Sequence, residues 1–122
     1  MSKNILIVDD AIFMRQVLKN ILLEGGYNIV GEASNGLEGV EQYKALSPDL
    51  VILDITMDVL DGLDAAKYIK QIDPQAKILM CSAMLGQQLI LQESLESGAM
   101  DVIAKPFKKE QVLEAVGTIF GI

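Results

Sequence analysis

Histidine and tryptophan are absent from this chain, and cysteine occurs once, at Cys81. Without histidine there is no Ser-His-Asp triad, no imidazole-ligated zinc and no phosphohistidine carrier. A single cysteine leaves no internal disulfide and fits a reducing compartment, so a cytoplasmic location is expected. Basic residues are also few, ten against seventeen acidic ones, for a net charge of −7. Phosphate-backbone binding needs a basic surface, so nucleic acid is not an expected partner. Apolar runs are too short to cross a bilayer, and residues 1–4 lead straight into the first of them. Neither a membrane span nor a secretory signal is expected.

What is present is apolar and periodic. Hydrophobic residues make up 51% of the 122, enough for one packed domain over residues 1–122. Ile5–Val8 is a short continuous run. Phe13, Met14, Val17, Leu18, Ile21 and Leu22 then recur at helical spacing until Gly25-Gly26. The alternation repeats. Strands are expected over Tyr27–Ala33, Leu50–Leu53, Ile78–Cys81 and Met100–Ala104. Helices are expected around Leu37–Lys44, Leu63–Ile72, Gln87–Ser97 and Val112–Phe120. Polar Asn28 and Glu32 make the second strand an edge. Five βα units in succession imply an α/β three-layer sandwich with a parallel sheet. The expected order is the flavodoxin-like 2-1-3-4-5.

In such a sheet, ligands bind beyond the carboxyl ends of the strands, at the switch point between strands one and three. Asp9 and Asp10 close the first strand and Asp54 closes the third. Three converging carboxylates repel unless a cation intervenes. Mg²⁺ suits them, since it takes oxygen ligands at about 2.1 Å in octahedral geometry. Lys105, before Pro106-Phe107, should project from the same edge, and so should the hydroxyl of Ser82. A carboxylate nucleophile, a metal site, a fixed cation and a hydroxyl suit phosphoryl transfer onto an aspartate.

The segments Ile7-Val8-Asp9-Asp10-Ala11, Asp54-Ile55-Thr56-Met57, Cys81-Ser82-Ala83-Met84 and Lys105-Pro106-Phe107 closely resemble the response-regulator receiver domain. They are most similar to its stand-alone chemotaxis members. The resemblance covers essentially the whole chain, and five separated positions in register make it specific. It implies a phosphorylation switch rather than an enzyme, with Asp54 as phosphoacceptor. Asp10 and Asp54 would ligate Mg²⁺ through side chains, Thr56 would do so through its main-chain carbonyl, and Asp9 would act through a metal-bound water. Lys105 and Ser82 would hold the phosphoryl group, and the Lys105-Pro106 bond would be cis. The implied donor is a sensor histidine kinase of the chemotaxis type. The implied target is a flagellar motor switch protein or other protein, bound through the fourth helix, fifth strand and fifth helix. A phosphatase is a further implied partner, and the chain is expected to be a monomer. A phosphorelay intermediate and a degenerate, non-phosphorylated adaptor are the alternatives.

The chain departs from the family pattern in three respects. Val102 stands where an aromatic switch residue is usual, so the signal is expected to leave through the loop holding Met84 and Leu85. Asp58 replaces the common proline and reads as a solvated loop residue. Met84 and Thr56 flank the path of attacking water, where apolar Met84 would shield an acyl phosphate. Two functions on similar scaffolds fit poorly. A flavin carrier needs a hydroxyl-rich phosphate loop where this chain has Asp9-Asp10-Ala11. An aspartyl-nucleophile phosphatase needs a second acid two residues on, where this chain has Thr56. Acids favour helix starts, so Asp9 or Asp10 is also expected to cap the first helix. Asp61-Gly62 reads as a turn.

Overall fold

The computed structural model describes residues 2–83 and 88–122, with Gln88 described by its backbone alone. Among the described residues, strands and helices alternate strictly. They are β1 (Asn4–Val8), α1 (Ile12–Glu24), β2 (Asn28–Ala33), α2 (Gly36–Leu46) and β3 (Leu50–Asp54). There follow α3 (Gly62–Ile72), β4 (Ile78–Ser82), α4 (Gln88–Glu96), β5 (Asp101–Ala104) and α5 (Lys109–Phe120). The strands form one parallel sheet in the order β2-β1-β3-β4-β5, as expected from the sequence. Met84, Leu85 and Gln87 lie outside the described residues.

The sheet divides the core in two, because successive strand residues face opposite sides. Ile5, Ile7, Leu50, Ile52, Leu79, Cys81 and Ile103 pack against Leu18, Ile21 and Leu22 of α1 and Val112, Val116 and Ile119 of α5. Leu6, Val8, Val51, Leu53, Ile78, Met80 and Val102 pack against Val40 and Tyr43 of α2 and Ala65, Ala66 and Ile69 of α3. The central strands β1, β3 and β4 are therefore apolar on both faces, and their Val, Ile and Leu side chains are buried. Each such side chain contributes about 1.5–3 kcal/mol of burial free energy.

Several helical details differ from expectation. Phe13 is 60% exposed and Leu37 48% exposed, although both lie on apolar stripes. Each sits in the first turn of its helix, beyond the carboxyl edge of the sheet, where no strand lies beneath it. Ile72, in the last turn of α3, is exposed at the opposite edge for the same reason. The N-cap of α1 is Ala11, without a side-chain capping bond, so neither Asp9 nor Asp10 caps that helix. Asp61 is more than a turn residue, because its carboxylate accepts the Asp64 N–H and caps α3. Asn35 caps α2 in the same way through the Glu38 N–H.

Candidate functional site

Strand phase brings the site together. Asp9 continues the alternation Ile5, Ile7; Asp54 continues Leu50, Ile52; Lys105 continues Ile103. All three belong to the pleat that faces α1 and α5, at the carboxyl ends of β1, β3 and β5. The ladder continues past two of these strands. The Asp9 N–H donates to the Ala33 carbonyl at 3.0 Å, and the Lys105 N–H donates to the Ser82 carbonyl at 2.9 Å. Asp54 is itself the last residue of β3, paired in register with Cys81.

Lys105 Nζ lies 2.8 Å from Asp9 Oδ2 and 3.2 Å from Asp54 Oδ2. It spans the two neighbouring acids across the sheet. Asp9, Asp10 and Asp54 each place a carboxylate oxygen within 4.8 Å of the others. Asp9 and Asp54 are buried and Asp10 is exposed, so the cluster opens to solvent on the Asp10 side. Burial first, and then the charge of Asp9, raises the Asp54 carboxyl to about 6, against the opposing pull of Lys105. Burial lowers the Lys105 ammonium, but its bond to Asp9 and the charges of Asp54 and Asp9 prevail and raise it overall. Lysine stays charged and Asp54 is costly to ionise. Such a pocket holds an excess of negative charge that a bound cation would relieve.

The donors are all oxygen, and with no imidazole in the chain they suit a hard cation rather than zinc or copper. Three carboxylates open to water on one side fit Mg²⁺, which keeps part of its hydration and accepts phosphate oxygens. The Cys81 thiol beside Asp54 is fully buried and pushed well up by burial, which leaves it a packed, unreactive neighbour.

The remaining expected site residues fall as follows. Ser82 ends β4 and is buried. Thr56 is exposed in the loop after β3. Asp58 is exposed in the same loop, and its carbonyl accepts the Leu60 N–H at 2.8 Å around Val59. Val59 has φ 71°, the left-handed region, which is unusual for a β-branched residue. Val102 is buried in the core on the α2 and α3 side. The Lys105-Pro106 bond is cis, as the resemblance implied.

Two features of the site have no motif in the sequence. Arg15 donates from Nη1 to the Asp9 carbonyl at 2.6 Å and from Nε to Glu32 at 3.1 Å. Gly62 packs so closely on the Asp54 carbonyl that a Cβ there would collide with backbone. Gly36 meets the Leu60 carbonyl in the same way. The two glycines fix both ends of the segment that follows Asp54.

A (βα)5 sheet ending in an acid cluster beside a lysine defines a receiver domain, the phosphorylation switch of two-component signalling. Residues 5–117 match the family model for the response regulator receiver domain, and the chain belongs to that family. A chemotaxis protein CheY of Thermotoga maritima is 53% identical over 119 residues, 98% of each chain. Another, of Bacillus subtilis, is 55% identical over 116 residues, 95% of this chain and 96% of that one. Among solved structures, the fold matches the CheX-CheY-BeF3-Mg²⁺ complex of Borrelia burgdorferi with a TM-score of 0.93 and 37% identity. That match covers 97% of this chain and 89% of the other. No helix among the described residues is long and apolar enough to cross a membrane.

Proposed function

We propose that the chain is a chemotaxis-type response regulator whose Asp54 accepts a phosphoryl group from the phosphohistidine of a sensor kinase. The observation that carries this is Lys105 Nζ held between Asp9 and Asp54 at the mouth of an oxygen-only acid cluster. Asp54 attacks phosphorus through a carboxylate oxygen, and the bond from phosphorus to the histidine nitrogen breaks. The freed imidazole leaves with the bonding electron pair. Asp10 and Asp54, with the Thr56 carbonyl, would hold Mg²⁺, with Asp9 acting through water, and the ion supplies charge neutralisation to the phosphoryl oxygens when bound. Lys105 exchanges its carboxylate contact for a phosphoryl oxygen, and the Ser82 hydroxyl donates to another. The residues supply position and charge rather than covalent chemistry.

Output through α4, β5 and α5 is favoured by exposed apolar side chains on that side: Leu91 and Leu95 on α4 and Met100 before β5. The target is a motor switch protein in this reading. Val102 has no ring to swing, so the signal leaves through the segment holding Met84 and Leu85. The cell compartment is the cytoplasm, where the kinase's phosphohistidine is presented.

The test is Mg²⁺ with beryllofluoride or acetyl phosphate, applied to wild type and Asp54→Asn. Intact mass and amide chemical shifts should report modification of the wild type only. Equal modification of both would remove Asp54 from the role.

A further inference from the structure

We propose that Arg15 is a positioning residue for the metal-binding acids, acting through the backbone carbonyl of Asp9. The inference rests on the reading of the Asp9, Asp10 and Asp54 cluster as a Mg²⁺ site. Arg15 stands in the first turn of α1, and its side chain is only 14% exposed. A guanidinium withdrawn from water needs partners on its donors. Arg15 has two, on different elements. Nε faces Glu32 of β2 at 3.1 Å, and Nη1 bonds the Asp9 carbonyl at 2.6 Å. Lys19 lies 3.3 Å from the other oxygen of Glu32, a part-exposed pair that adds little.

The Asp9 carbonyl faces β2, as its N–H does, and lies past the last register pair of β1 with β2, Val8 and Ala33. The sheet therefore gives it no partner, and the guanidinium takes the strand's place. Every polar atom of Asp9 is then engaged. Its N–H donates to Ala33, its carbonyl accepts from Arg15, Oδ1 accepts the Ala11 N–H, and Oδ2 pairs with Lys105. The Asp9 carbonyl belongs to the same rigid plane as the Asp10 N–H and Asp10 Cα. Holding that oxygen holds the plane from which the Asp10 side chain departs. Asp10 is exposed, so its backbone carries more of the burden of placing it.

The sign of the effect separates position from charge. A cation near a metal site repels the metal, so removing a mere charge would tighten Mg²⁺ binding. Removing a group that orients the ligands would weaken it, by about 10-fold where such outer contacts have been deleted.

The experiment titrates Mg²⁺ alone into wild type, Arg15→Met, Arg15→Lys, Lys19→Met and Asp10→Asn, followed by amide chemical shifts. Arg15→Met should raise the Kd about 10-fold. Arg15→Lys keeps the charge but loses the two-armed fork, and should also weaken binding. Lys19→Met removes a neighbouring charge without touching Asp9, and should leave the Kd within about 2-fold. An unchanged or tighter Kd in folded Arg15→Met would overturn the proposal. If Arg15→Met does not fold, Arg15→Lys decides in the same way. Weak binding in Asp10→Asn with wild-type binding in both Arg15 variants would refute the proposal and spare the site. Wild-type binding in Asp10→Asn would refute the metal-site reading, and the proposal with it.

Discussion

Replacing Asp54 with asparagine should make the metal-free protein more stable above pH 6, although the change removes an ion-pair partner of Lys105. The Asp54 carboxyl stands at about 6 against an ordinary 3.8. The folded state therefore disfavours its charge, and the attraction of Lys105 is already counted in that balance. The sign follows from linkage: a raised carboxyl makes folding costlier as pH rises past the ordinary value, and the full cost is reached above the folded value. At 1.36 kcal/mol per pH unit, the ceiling is about 3 kcal/mol. Water on the exposed Asp10 side screens the cluster, so about 1–2 kcal/mol is expected. For a domain of this size that is a rise in Tm of about 4–8 °C. The assay is thermal unfolding by circular dichroism in EDTA, from pH 4 to pH 8. The advantage of Asp54→Asn should be full above about pH 6, shrink between 6 and 3.8, and vanish below. Added Mg²⁺ should stabilise wild type and not the variant. A variant less stable than wild type at pH 8, or a difference that does not change with pH, would refute the reasoning.

Two other substitutions test the loop after Asp54. Gly62→Ala puts a Cβ into the Asp54 carbonyl and the Ile55 backbone, which cannot move aside as a side chain would. A loss of about 2–3 kcal/mol in urea unfolding is expected, together with weaker Mg²⁺ binding, and a neutral result would exclude the close approach. Val59→Gly should raise stability by about 0.5–1 kcal/mol, because glycine adopts the left-handed backbone at φ 71° without a Cβ clash. A lower Tm in the Val59→Gly melt would count against that conformation.

The strands, the polar edge strand β2 and the acid cluster were legible because each rests on short-range pattern, while the strand order came from the fold-level rule for five βα units. Leu50–Leu53 reads as a doubly buried strand wherever it is placed, and Asp54 must then fall at its carboxyl end. The period of two then carries Asp9 and Asp54 to one face without knowledge of the loops. The misread features depend on where an element lies against the rest of the molecule. Phe13 and Leu37 belong to proper helical stripes, but the stripe outruns the sheet. Arg15 sits between Met14 and Gln16 with nothing local to mark it, since its partners are 17 residues ahead and 6 behind. Gly36 and Gly62 show their purpose only when two backbones approach. A half-buried arginine bridging Asp9 and Glu32 is a tertiary fact, and no window on the sequence contains it.

Asp54 belongs to β3, and β3 lies at the middle of the sheet, flanked by β1 and β4 and buried along its whole length. Its amides should exchange only when the domain as a whole comes apart, so local breathing would leave Asp54 where it was. In the proposed function, the residue that would record the signal is anchored in a fully buried strand, while Asp10 and Thr56 are exposed. On that proposal, chemical memory and mechanical response would belong to different parts of the chain. A mutation in a rim loop would then retune how long the mark lasts or who reads it, and still leave intact the place where it is written.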